Sequence, residues 1–431
     1  MSKQIPARMH ASLWAIVICC LLVACNKGWL NEYSGSYKAD TTGKVIDIIY
    51  LESNSSEWAQ NSILGYRVYE GGQVVPMEEG PFLTGGTGIP GSQNAGSFNS
   101  DHEVRLTNDK RFLLAVNSGD NTISVFSIQS DGTLKLTPGS PISSGGETPV
   151  SIDIWQQYVI VLNKSNHPVL PTYSAPNYSV FTLKGDGSLV FVSKFELRNG
   201  ISPGQVLVSR SGAFVYGSNT WGFDYSPPAE RLNIFSIGNN GTFTAGPAAP
   251  SFDSNLPGAL GLYESSDQHV LYVAFPFSAQ FSFYDINKND GSLTHAGDAT
   301  ARPGCSRFCT NRSKHSLFTA NTIDNSVSLF DITDAHSPRK TGELSLKETG
   351  PAYAGYFGQY TTSQCVSLAT SSNDQYLYVV SQHGNPDTTI GNYNYLHVLH
   401  IVEGNFQEQD EPLQLPVANK FRPRGLAVLG R

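Results

Sequence analysis

The chain has 431 residues, of which only 15% are charged, together with 41 Gly, 24 Pro, 20 Tyr and 22 Phe. Average globular domains carry roughly 25% charge, and a chain this rich in glycine, proline and aromatics has few stretches able to sustain a helix. A net charge of −8 excludes a nucleic-acid surface, which needs a clustered positive excess.

The first element is apolar. Residues 11–24 carry no charge, follow Lys3 and Arg8, and lead into Cys25 through Leu21-Leu22-Val23-Ala24. Such a run is shorter than the roughly 18 residues that cross a bilayer, so a secretory h-region fits better than a membrane span. It resembles a bacterial lipoprotein signal, in which the chain is cut before Cys25 and that thiol is lipidated. The resemblance implies a signal peptide over 1–24, a lipidated linker over 25–44, and a protein held to a membrane of the cell envelope, outside the cytosol. An ordinary secretory signal with a coincidental cysteine is the alternative. Loss of Lys3 and Arg8 takes the net charge from −8 to −10.

From residue 45 the chain repeats itself. Seven stretches pair an alternating aromatic and aliphatic strand with a turn, reading LGYRVYEGG, ISVFSIQSDG, YSVFTLKGDG, LNIFSIGNNG, FSFYDINKNDG, VSLFDITDAHS and LHVLHIVEGN. The turn glycines Gly72, Gly132, Gly187, Gly241 and Gly291 are 60, 55, 54 and 50 residues apart, a spacing that suits one small sheet per repeat. Asp131-Gly132, Asp186-Gly187, Asn240-Gly241 and Asp290-Gly291 are dipeptides that close hairpins. Before six of these strands lies another apolar one, at 112–116, 158–162, 214–216, 270–274, 317–320 and 376–380. The expected fold is therefore all-β, a seven-bladed propeller of four-stranded blades over 45–431. Residues 45–51 open the first blade without an innermost strand, while 424–430 read as an innermost strand with no blade to follow. The C-terminal strand is thus expected to complete the first blade, which removes exposed sheet edges.

The segment LTNDKRFLLAVNSGDNTISVFSIQSDGTLKLTPGSPISSGGETP from Leu106 resembles a repeat of the seven-bladed propeller lactonases, the group related to 6-phosphogluconolactonase and to the fungal muconate-cyclising enzymes. LFTANTIDNSVSLFDI from Leu317 is also similar to the shorter YVTN-type propeller repeats. The likeness extends over essentially 45–430 and implies opening or closing of a small lactone, of a sugar-acid type. The family's Pro-His-x-His ahead of an innermost strand corresponds here to Asn99-Ser100-Asp101-His102, with Ser100 at the first histidine. Its Pro-Ala-Glu glutamate corresponds to Arg307.

Blade geometry places a site. The long insertions, 163–177 with His167 and Tyr173, 219–230 with Trp221, and 381–394 with His383, all fall on the face where innermost strands begin; the tight turns fall on the other. A loop-rich face around a channel mouth is the expected binding surface. His102 and Glu103, Gln205, Arg302, Arg307, Arg422 and Arg424 lie near the starts of innermost strands. Guanidinium forks match planar oxyanions, so these arginines, with Gln205, Trp221 and His383, are candidate ligand contacts, and His102 and Glu103 candidate catalytic groups. The alternative leaves Arg302 and Arg422 as solvated rim residues and pairs Arg307 and Arg424 with acids. The ligand class is a small anionic or sugar-like molecule; the competing reading is a non-catalytic propeller that binds a glycan, peptide or envelope protein.

No cofactor is expected, since no carboxylate cluster argues for a calcium ion in the channel and there is no metal-ligand motif. His397 and His400 read as structural strand residues, and the protein is expected to be a monomer. Cys305 and Cys365 lie 16 residues before Asn321 and Ser381, which end matching strands. The two thiols therefore occupy equivalent places on neighbouring innermost strands, where they either form a disulfide or stay free because propeller strands fan apart, with Cys309 a buried thiol.

Overall fold

The computed structural model describes residues 43–431 apart from 91–99, 168–169, 222–229, 251–257, 348–349, 351–352, 355–359, 362, 384–390, 403, 409 and 419. Cys25 and the proposed signal and anchor segments lie outside the described residues. All described regular structure is β and falls in one compact unit, Thr41–Arg431.

Seven antiparallel sheets stand in a ring. Blade 1 runs from the innermost strand Arg424–Gly430 through Val45–Glu52 and Ser62–Tyr69 to Val74–Pro76, so the C-terminal strand does complete the first blade, with Tyr50 opposite Ala427. Blades 2 to 7 begin with innermost strands Val104–Leu106, Pro149–Trp155, Ser202–Val208, Leu262–Glu264, Cys305–Thr310 and Ser363–Thr370. Each of these contacts the next around the ring, and the last returns to Arg424–Gly430. The seven repeated sequence stretches are the third strand of each blade.

Buried apolar side chains fall into seven clusters, one for each blade-to-blade interface. Along Val45–Glu52, Ile48 and Tyr50 enter the interface with blade 2, whereas Ile49 and Leu51 enter the interface with blade 7. Side chains alternate across a strand, so a second strand buried on both faces reads as a continuous apolar run.

A second contact recurs between blades. A tyrosine hydroxyl on the second strand donates to a carbonyl in the outer turn of the next blade: Tyr50 to Gly132 O at 2.6 Å, Tyr158 to Asn239 O at 2.6 Å, Tyr216 to Gly291 O at 3.4 Å, Tyr272 to Ala335 O at 2.8 Å, and Tyr376 to Glu70 O at 2.8 Å. The last of these crosses the seam between blades 7 and 1, where Tyr378 also donates to Asp47 Oδ2 at 2.8 Å. Gly132 takes a φ of 86°, and a Cβ there would lie 1.9 Å from Ile48, so this turn needs glycine for both backbone and space.

Cys305, Cys309 and Cys365 are free thiols. Of the two outcomes read from their spacing, the unbridged one holds. Cys305 points into the interface of blades 5 and 6, and Cys365 into that of blades 6 and 7. Equivalent side chains in successive blades face the same way around the ring, so a sheet separates them.

Removing one latch hydroxyl should cost about 1 kcal/mol, the net worth of a buried hydrogen bond. Tyr272→Phe and Tyr376→Phe lie in different interfaces, so their losses should add in chemical denaturation; strong non-additivity would show that the latches are not independent.

Candidate functional site

Five innermost strands are bulged near their entry ends, with pairing shifts at Glu52 opposite Arg424, at Pro149/Ser151, at Pro203/Val206, at Cys305/Arg307 and at Cys365/Ser367. A bulge re-aims the side chains beside it. Arg424, Gln205 and Arg307 all sit at these irregularities.

Arg307 and Arg424 converge on one residue. Arg307 Nε donates to Ser100 O at 2.9 Å, Arg424 Nη1 donates to Ser100 Oγ at 3.0 Å, and Ser100 Oγ donates to Glu103 Oε1 at 2.7 Å. Ser100, Glu103, Arg307 and Arg424 are all buried, as are Glu52 and Lys164 beside them. Taking charge out of water disfavours the charged form. Burial pushes the Glu52 carboxyl up to about 8, holds the Arg424 guanidinium down at about 10, and holds the Lys164 ammonium well below its usual range, with Arg424 and Arg307 adding to the effect on lysine.

The segment 100–103 reaches across the channel. Ser100 is held by blades 1 and 6, whereas Asp101 N donates to Gly204 O at 3.3 Å and His102 O accepts from Ile152 N at 2.9 Å, in blades 4 and 3. His102 adopts a φ of 65°, a conformation costly for a non-glycine residue, and Asp101 Oδ1 supports it by accepting from His102 N at 2.9 Å.

On the far side of this crossing lies a cavity of about 480 Å³, with Asp101 and His102 at its inner end and the turn residues Asn108, Trp155 and Arg210 at its outer end. This chamber opens toward the face of tight turns. His102, expected beside the loop-rich face, lines this chamber.

Burial favours the neutral form of His102, and Gln205 lies against its ring. Gln205 Oε1 accepts from Leu262 N at 2.6 Å, which fixes the amide, and Gln205 Nε2 then lies 3.2 Å from His102 Nδ1 and 3.3 Å from Nε2. An amide donor needs an unprotonated ring nitrogen to receive it. Burial, and then the Arg105 guanidinium, hold the imidazole well below its usual range, while burial pushes the Asp101 carboxyl up to about 7. A neutral base and a carboxyl that is an acid near neutrality thus adjoin at the end of one chamber.

The other expected contacts separate. Glu103 turns into the upper cluster, away from His102. Arg302 pairs with Asp324 at 2.6 Å and Glu343 at 3.5 Å on the rim of blade 6. Arg422 is buried rather than solvated, and its carbonyl accepts from Asn54 Nδ2 at 3.2 Å. His383 packs on Tyr393 with centroids 5.1 Å apart at the end of blade 7's second strand. Trp221 ends the second strand of blade 4, and its side chain lies outside the described residues. Among the described residues no group of three His, Cys, Asp or Glu is placed to hold a metal ion. Asp101, Lys164 and Glu52 were missed from sequence; the Asp101-His102 pair ahead of an innermost strand was the available signal for the first, whereas nothing local marks the other two.

Glu52 and Asp101 have folded-state affinities for protons raised above their unfolded values, so both contribute stability that is fully present in acid and lost as pH rises through about 8 and about 7. Glu52→Gln should remove its share. The variant's denaturation midpoint should fall less than that of the parent between about pH 5 and 9, and an equal fall would show that Glu52 does not take up its proton in that range.

A family model for "Lactonase, 7-bladed beta-propeller" matches residues 66–174. A sequence search of curated proteins finds no match. Among solved structures, the periplasmic gluconolactonase PpgL of Pseudomonas aeruginosa superposes with a TM-score of 0.65 at 15% identity, covering 88% of this chain and 99% of that one. Two proteins described as candidate 6-phosphogluconolactonases are similar: one from Bacteroides uniformis ATCC 8492 (TM-score 0.64, 16% identity, 89% and 99% covered) and one from Bacteroides fragilis NCTC 9343 (0.63, 14%, 89% and 98%). At these identities the structural likeness is one of fold. By the match over 66–174 and by its seven-bladed ring, the chain resembles the seven-bladed propeller lactonases.

Proposed function

We propose that the channel chamber hydrolyses a small lactone of a sugar-acid type. The observation that carries this reading is the neutral His102, fixed by Gln205, next to the high-affinity acid Asp101 at the end of a cavity of about 480 Å³. The lactonase family match and the fold of the lactonase-named neighbours support it. The Gln205 amide gives up its contact with the imidazole, and the freed ring nitrogen of His102 takes a proton from water as the oxygen attacks the lactone carbonyl carbon. Asp101 gives its proton to the ring oxygen as the acyl C–O bond breaks. Proton return from His102 to Asp101 then restores both groups, and the product is a hydroxy acid. General acid–base groups of this kind contribute roughly 10²–10⁴-fold.

A panel of aldonolactones followed by pH-stat tests this. Hydrolysis of at least one, falling roughly 10²-fold or more in His102→Ala and Asp101→Asn, is expected. No turnover of any lactone, or turnover indifferent to His102, would favour the second reading, a non-catalytic propeller binding a glycan, peptide or envelope protein. Ser100 and Arg307 at the family's histidine and glutamate positions favour that reading.

We further propose that the protein is a monomer anchored outside the cytosol through lipidated Cys25. Acyl chains supply most of the membrane affinity in such an anchor. Cys25→Ser should release the protein from the membrane fraction or leave it uncut; unchanged fractionation and processing would count against the anchor.

A further inference from the structure

We propose that the turn-face mouth of the channel is a binding site for a small oxyanion, a phosphate or a carboxylate. Beside the chamber lies a second cavity of about 410 Å³, walled by Lys110 of blade 2, Arg312 of blade 6 and Arg431 of blade 1, with the hydroxyl residues Thr310, Thr370 and Ser371 between them. Among the described residues, no Asp or Glu side chain lines it. Its cations come from three blades, so ring geometry and not a local run of basic sequence brings them together. In a chain of net charge −8, this is a local reversal of sign.

The acids of the surrounding turns are engaged in hydrogen bonds with backbone and hydroxyl groups, and Asp47 behind the cavity wall accepts from Ser372 N at 3.2 Å. Asp109 Oδ1 accepts from Thr107 Oγ1 at 2.7 Å and from Arg111 N at 3.1 Å. Asp267 Oδ1 accepts from Ser265 Oγ and from His269 N at 3.1 Å, and Asp374 Oδ1 accepts from Arg312 N at 2.6 Å. Arg431 Nη1 donates to the neutral Ser130 O at 2.9 Å. Arg210, on the chamber side of the mouth, donates to Tyr263 Oη at 3.0 Å and to Glu264 O at 3.2 Å, and its backbone N donates to the Glu264 carboxylate at 2.5 Å. Among the described residues, neither the Lys110 ammonium nor the Arg312 guanidinium has an ion-pair or hydrogen-bond partner. Lys314 stands close enough to Arg210 that burial and this neighbour hold its ammonium below its usual range. Cations crowded at the low-dielectric wall of a cleft repel one another and focus the field on an incoming anion. Two or three guanidinium and ammonium donors around hydroxyls suit the oxygens of a phosphate or carboxylate.

Inorganic phosphate and gluconate are titrated into the full protein by calorimetry, and vesicles of phosphatidylglycerol in phosphatidylcholine are tested by sedimentation with the lipid anchor removed through Cys25→Ser. Saturable binding of a free anion, weakened tenfold or more in Lys110→Ala/Arg312→Ala, is expected. The control Lys194→Ala/Lys340→Ala removes the same charge from outer strands and should leave affinity unchanged. Vesicle binding that is lost in the first pair and kept in the second would identify a lipid headgroup as the source of the oxyanion. Absence of binding to phosphate, gluconate and vesicles alike, or equal losses in both pairs, would overturn the proposal. Binding is read without turnover, so its failure is separable from failure of the lactone reading.

Discussion

No blade of this ring can bury its own sheet. Each second and third strand has apolar side chains on both faces, and each face is covered only by the neighbouring blade, so every interfacial cluster needs two adjacent blades. Closure is therefore the constraint on which everything else depends. Pairing of Arg424–Gly430 with Val45–Glu52 joins the two ends of a ring that would otherwise expose one apolar face at each edge. The tyrosine latches add direction to this stacking, because a hydroxyl that must meet a turn carbonyl fixes how far one blade is rotated against the next.

The same closure creates the channel and controls its chemistry. Seven innermost strands converge on an axis, and at their entry ends the side chains are buried. Burying Glu52, Glu103, Lys164, Arg307 and Arg424 together is costly, and such groups persist only where each charge finds a partner or a proton shift. Here the upper cluster resolves the cost by both routes: Ser100 ties the two arginines to Glu103, while Glu52 and Lys164 shift toward their neutral forms.

The crossing segment gives the two ends of the channel different characters. Above it lie tethered charges with little exposure; below it lies an open chamber with His102 and Asp101 in its wall. Adjacent residues thus serve opposite compartments, which a left-handed φ at His102 makes possible.

The sequence by itself determined the ring. Third-strand repeats, Asp-Gly and Asn-Gly turns and the orphan strand at 424–430 specify blade number, hairpin positions and closure, because these depend on local conformational preference and on alternation along a strand. It also marked His102, Gln205, Arg307 and Arg424 as residues at strand entries. What it left open is which of them meet. His102 and Glu103 are neighbours in sequence and diverge in space, while Ser100, Arg307 and Arg424 are up to 324 residues apart and touch. Whether Cys305 and Cys365 bridge was likewise open, since equivalence of position does not reveal the sheet between them. These outcomes rest on bulges at the strand entries, on the path of one connector across the axis and on the rotation between blades. All three are settled by packing between elements distant in the chain, and no short window of sequence contains that information.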